Sequence, residues 1–208
     1  MSSPPPKPFV PNGSDHLAHW ARLHGAAYVL NPPEDWFRQW EPHDTLVAPE
    51  LFYNSITLRL PSIWGHRPIG DLVIVEPWTA PAGVDPLERT IVGFATHPGL
   101  MARASMRTGE PFLTRVAFLE SAPPNQVKMG EKVWDENVTT FARTEDEAKA
   151  AFTPALRELL RSKGFRGQLE MRPGGLVVHF DGLLPRPDHV DMLYRVVVDI
   201  VTAALNRR

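Results

Sequence analysis

The last apolar stretch of the chain, from Asp188 to about Asn206, restricts the fold more than any other feature. At 3.6 residues per turn, Asp191, Arg195, Asp199, Thr202 and Asn206 form one narrow polar stripe. Val190, Leu193, Tyr194, Val197, Val198, Ile200, Val201 and Leu205 occupy the rest of the circumference, and Met192, Val196 and Ala203 carry the apolar arc past a single face. Such a helix needs shelter from neighbouring segments of its own chain or from a second copy of the protein. In the second case Met192, Val196 and Ala203 are the expected interface residues.

Upstream of that helix the pattern is of strands and short helices. Asn137 to Arg143 reads as a strand, and Thr144 with Glu147 forms a capping box that satisfies orphan N–H groups at a helix start. Thr153 followed by Pro154 gives a second start signal, Thr as the cap and Pro at the first helical position, with an end near Gly164. Leu169 and Met171 then alternate with polar residues, a Pro-Gly-Gly run turns the chain, and Leu176, Val178 and Phe180 alternate on the return. The chemically sensible register sets Leu169 against Val178, Met171 against Leu176, Arg172 against Gly175 and Arg166 opposite Asp181. Pro-Gly is not the preferred primed-turn pair, so a bulge that slips this register by one residue stays open. The expected C-terminal unit is β-α-α-β-β-α.

The first two thirds are interrupted by proline, of which the chain has 22, concentrated between apolar segments where a fixed φ and a missing N–H favour turns. Many short elements follow from that distribution. Residues 1–13 have little to bury and read as a disordered or loosely docked arm outside the core. Ser14 to His24, closed by Gly25, reads as a helix with Leu17, Trp20, Ala21 and Leu23 on its apolar stripe. Strands are expected around Ile56 to Leu60, Leu72 to Val75, Arg89 to Ala95 and Phe112 to Leu119, with short, antiparallel connections. The fold class is therefore α+β: a central, mainly antiparallel sheet with the terminal helix packed on it. Residues 14–133 and 134–208 form two subdomains or one continuous domain.

Composition closes several functional routes. A net charge of −2, from 22 basic and 24 acidic residues, supplies no global field for nucleic acid or an anionic bilayer. Without cysteine there is no disulfide, thiolate nucleophile or sulfur-ligated metal site, a composition that suits the cytoplasm. No run approaches the roughly 18 apolar residues of a membrane span, and the opening residues lack a secretory apolar core. Phosphate-binding loops, the dinucleotide fingerprint, the nucleophile elbow and the zinc-protease helix are all absent. No cofactor and no metal are expected.

The C-terminal third, through Glu136-Asn137, Phe141, Asp146, Ala148, Thr153-Pro154, Leu156 and the hairpin and helix that follow, resembles an uncharacterised bacterial domain-of-unknown-function family. That resemblance implies a shared architecture and a bacterial source, with no catalytic assignment. Longer members of the family often carry membrane helices, which this chain lacks.

Candidate site residues come from loops and aromatics. Ile63 to Pro68 joins Trp64, His66 and Arg67 between two strands, where binding groups collect, and Trp36, Trp40 and Trp78 would extend it into an aromatic recognition surface. His16 and His19 share a helix surface but make only two ligands of a metal site. His179 and Asp181 share a strand face as an imidazole and its orienting carboxylate, with a solvent-facing cross-strand pairing to Gln168 and Arg166 as the structural counterpart. The preferred reading is a non-catalytic binding or protein-interaction module whose first expected partner is itself. The alternative is a small hydrolase or transferase assembled only in three dimensions, with His66, His97 and His179 as bases.

Overall fold

The structure, a computed structural model, describes residues 9–33, 51–61, 70–78, 89–109 and 125–206. In chain order these hold α1 (Ser14–Leu23), β1 (Ala27–Val29), β2 (Leu51–Arg59), β3 (Asp71–Trp78), β4 (Val92–Thr96) and β5 (Ala104–Arg107). There follow β6 (Asn125–Val127), α2 (Lys132–Asn137), β7 (Thr139–Ala142), α3 (Glu145–Ala151), α4 (Pro154–Ser162), β8 (Gly167–Arg172), β9 (Gly175–Phe180) and α5 (Pro187–Leu205). All the strands join one sheet in the order β1-β2-β3-β4-β9-β8-β5-β7-β6, and every pairing is antiparallel. The α+β class and the C-terminal β-α-α-β-β-α order are those expected from the sequence. Strands from both proposed subdomains interleave in a single sheet.

The local signals act as their chemistry requires. Thr144 Oγ1 accepts from the Glu147 N–H at 3.2 Å, and the Glu147 carboxylate reaches back to the Arg143 N–H, one residue before the cap. Thr153 Oγ1 accepts from the Leu156 N–H at 3.3 Å, with Pro154 opening α4. In the hairpin the register pairs Leu169 with Val178, Met171 with Leu176 and Arg172 with Gly175, and the Asp181 N–H donates to the Arg166 carbonyl. No bulge slips it.

Buried residues of all five helices, Leu17 and Trp20 of α1, Trp134 of α2, Ala148 of α3, Leu156 and Leu160 of α4 and Leu193 of α5 among them, share one core with one face of the sheet. Phe52, Val73, Val75, Val92, Phe94 and Val177 form a separate apolar cluster on the opposite face. α5 lies across β3 and β4 between α1 and α4. It sits low because β4 offers Gly93 beneath it: a Cβ there would lie 3.2 Å from Val197 Cγ2.

That seating gives α5 the shelter of its own chain and corrects Val196 as an exposed interface residue. Val196 is only 4% exposed within a single chain, and Ala203 is packed against the core, so the wide apolar arc is sheltered by α1, α4 and the sheet. Met192, at 41% exposed, is the member of the trio that remains at the surface. Leu23 is also corrected, standing out of the α1 stripe at 68% exposed. Of the arm, residues 9–13 are docked on the sheet. Phe9 packs edge-on against Trp78 at 5.4 Å, and Arg89 donates to the Asn12 carbonyl at 2.8 Å. Among the described residues no helix is long and apolar enough to cross a membrane. The expected strand at Phe112 to Leu119 lies outside the described residues.

Candidate functional site

Of the aromatic surface expected from sequence, Trp36, Trp40, Trp64, His66 and Arg67 lie outside the described residues. Trp78 is a core residue, a correction to its place in that surface: it is fully buried and its indole N–H donates to Glu76 Oε1 at 2.8 Å. Glu76 is itself buried and accepts two further partners, Asn54 Nδ2 at 2.6 Å and the bidentate Arg89 guanidinium at 2.5 and 2.9 Å. Tyr28 donates to Asn54 Oδ1 at 2.7 Å, and Asn54 takes a φ of 53° at the point where the β2–β3 register shifts. These groups tie the N-terminal segment, β1, β2 and β3 together. A carboxylate this fully engaged is a structural clamp.

Among the described residues the candidate bases His97 and His179 do not converge, and His66 lies outside them. His179 faces Val92 across β4, whereas His97 follows Thr96 at the far end of that strand, roughly 17 Å away at the ordinary strand rise. The sequence placed His179 in solvent; the structure buries it, together with its cross-strand neighbour Gln168. Its Nε2 lies 3.1 Å from Thr90 Oγ1 and its Nδ1 3.4 Å from Asp181 Oδ1, the order of a hydroxyl, an imidazole and a carboxylate. Burial pushes the imidazole down to about 4, which makes it a poor acceptor for an alcohol proton at neutral pH. The Thr90 hydroxyl also has the Leu183 carbonyl at 3.2 Å to receive its proton. Burial raises the Asp181 carboxyl while Arg166 offsets part of that rise. His97 has its Nδ1 occupied by the Gly99 N–H, and partial burial lowers its basicity too. His19 contacts Arg22 at 2.8 Å rather than sharing a ligand with His16. Among the described residues no group of three metal-ligating side chains forms.

A cavity of about 470 Å³ opens instead between α2 and α4. Its apolar lining comes from Met106 at the end of β5, Trp134 and Val138, Leu160, and Phe165. Each wall is fixed by local chemistry. The Asp135 carboxylate accepts from the N–H groups of Met129 and Gly130, which sets the turn before α2, and Trp134 Nε1 donates to Thr140 Oγ1 at 2.9 Å. α4 starts at the Thr153 cap, and Gly164 follows its end at φ 59°, delivering Phe165 to the cavity. Val133 stands at the lip, 59% exposed although apolar. Around the mouth, Arg157 pairs with Glu131 at 2.9 Å and lies 5.9 Å over the Trp134 ring. Arg161 pairs with Glu158, and Arg166 is exposed beside them.

Comparison with known proteins adds a fold. No family model matches the chain, and no curated protein matches it in sequence. The crystal structure of the mycobacterial trehalose monomycolate transport factor A, TtfA, is similar with a TM-score of 0.57 at 14% identity, covering 93% of this chain and 97% of that one. The likeness is one of architecture over nearly the whole length of both.

The sequence singled out neither wall of this cavity. Lys132–Asn137 is a helix of six residues ending where the sequence suggests a strand from Asn137, so Val133 and Trp134 carry no signal as a paired lip and floor. The usable trace is on α4, where Arg157 and Glu158 between the buried Leu156 and Leu160, and Arg161 just after them, are the polar positions.

Proposed function

We propose that this protein is a non-catalytic protein-interaction module and that the groove between α2 and α4 receives an apolar segment of its partner. The observation that carries the reading is an apolar cleft of about 470 Å³ with an exposed valine at its lip and paired charges around its mouth. Apolar centres rimmed by polar groups are the usual anatomy of a recognition site. His97 and His179 support this reading rather than catalysis, being set at opposite ends of the β4–β9 pairing and depressed in basicity by burial. The fold is shared with a transport factor, TtfA, and a fold-level analogy of this kind agrees with a binding role without naming the partner.

The test is affinity purification of the full chain from its own cells, comparing wild type, Val133→Glu in the groove, and Val29→Glu on the exposed edge strand. A partner lost with Val133→Glu and retained with Val29→Glu is the expected result. Identical partner sets for the two variants, or none for wild type, would remove the groove as the binding site.

A further inference from the structure

We infer that Tyr53, Trp78 and Arg89 form a second binding surface, for an extended partner segment with an aromatic ring followed two residues later by proline, and that the chain's own residues 9–12 occupy it in cis. This surface is separate from the groove between α2 and α4 and does not rest on it. The seated arm shows the chemistry. Phe9 sets its ring edge-on to Trp78 and to Tyr53, at 5.4 and 6.0 Å, and the centroids of those two rings lie 4.6 Å apart. Trp78 is fully buried with the Phe9 ring seated on it. Pro11 is buried, and the Asn12 carbonyl accepts from Arg89 at 2.8 Å, while the Val10 and Asn12 side chains are exposed. Inward anchors at every second residue are those of an extended segment.

The socket is held in place without the arm. Glu76 accepts from Trp78 Nε1 at 2.8 Å and from the Arg89 guanidinium at 2.5 and 2.9 Å, so β3 itself positions both groups that meet the segment. Groups fixed in this way lose little freedom on binding. The arm, in contrast, is lightly held. Among the described residues, 9–12 pair with no strand, and the bonds from the Ser14 N–H and hydroxyl to the Pro11 carbonyl belong to the turn into α1 rather than to the socket. Gly13, at φ 82° with open space where a Cβ would stand, is the swivel. A segment attached by one ring and one hydrogen bond lies at the low end of local opening free energies. Nothing in a ring, a proline and a carbonyl is peculiar to residues 9–12, so a partner segment of the same order meets the same groups.

Tethered beside α1, the arm meets its socket at an effective concentration on the order of 1 mM, so a free peptide of about 100 μM affinity is weakened about 10-fold by it. The probe is a fluorescein-labelled peptide with the sequence of residues 3–13, followed by anisotropy with the full chain. Phe9→Ala, which empties the ring's seat, is expected to bind the peptide about 10-fold tighter than wild type does. The same peptide carrying Phe9→Ala should bind neither chain. Equal affinity of the two chains, no binding to either, or equal binding of the ringless peptide overturns the inference. So does a Phe9→Ala chain that fails to fold, since the arm would then be part of the core. Wild-type dimers in sedimentation that Phe9→Ala dissociates would make the occupant another copy's arm, and overturn it as well.

Discussion

Glu76 shows how much one side chain can hold. Its carboxylate collects Asn54, Trp78 and both arms of Arg89, and Arg89 in turn holds the Asn12 carbonyl. Replacing it by alanine would strand a largely buried guanidinium and two buried donors, so Glu76→Ala is expected to lower stability by about 3 kcal/mol in urea titration. Arg89→Ala should cost a similar amount, and the double variant less than the sum, because each single change orphans the other's charge. His179 carries a second prediction. Its folded pKa of about 4 lies below that of an unfolded histidine, so the unfolded state binds the proton first as pH falls. Stability from the neutral ring is complete above about pH 6.5 and drains away between there and about pH 4, by about 3 kcal/mol in all. Asp181 acts the opposite way: its raised carboxyl favours the native state on protonation and offsets part of the loss at the acid end. Urea midpoints measured across that range should fall for wild type and flatten for His179→Gln. Neither environment was legible in sequence. A glutamate at the end of an apolar strand and a histidine alternating with valines look like solvent-facing residues, and only the fold brings Arg89 or the covering atoms to them.

At the level of elements, the parts that were legible are those whose information is local. The Thr153–Pro154 start, the Thr144 cap and the β8–β9 register depend on residues within a few positions of one another, and each is found as read. β5 was missed because Ala104, Ser105, Met106 and Arg107 have little strand propensity of their own; partners on both sides, β7 and β8, make it a strand. α2 was missed because its six residues carry one buried side chain, Trp134, too little to show a helical period. The walls of the groove thus come from the least legible elements, which is why its residues went unread. The seat of α5 gives a direct test. Because Leu193 and Val197 descend onto Gly93, Gly93→Val should push the helix off β4 and cost about 2 kcal/mol in thermal or urea unfolding. The same substitution would be nearly harmless if α5 were held mainly by another copy of the chain.

The whole molecule is organised by an insertion. β4 and β5 are consecutive strands, yet the β8–β9 hairpin sits between them, β9 on β4 and β8 on β5. Two central strands and the helix that covers β3 and β4 are thus supplied by the last part of the chain. A boundary at residue 133, natural from composition and from the self-contained look of the C-terminal unit, would cut through the middle of the sheet. Removing residues 134–208 would leave β4 and β5 each with an open edge and strip the cover from Leu72 and Ile74, a state that invites aggregation. Residues 1–133 alone are expected to give a collapsed amide spectrum and insoluble protein, and co-expression with 134–208 to restore dispersed resonances and solubility. Because long-range pairings such as Val92 with His179 must form before the core closes, the intact chain should also refold slowly for its size, in the range of ms to s, with fluorescence and far-UV signals changing together. A dispersed spectrum from residues 1–133 alone would show that the first part closes its own sheet, and the inserted hairpin would then be an addition to a finished domain.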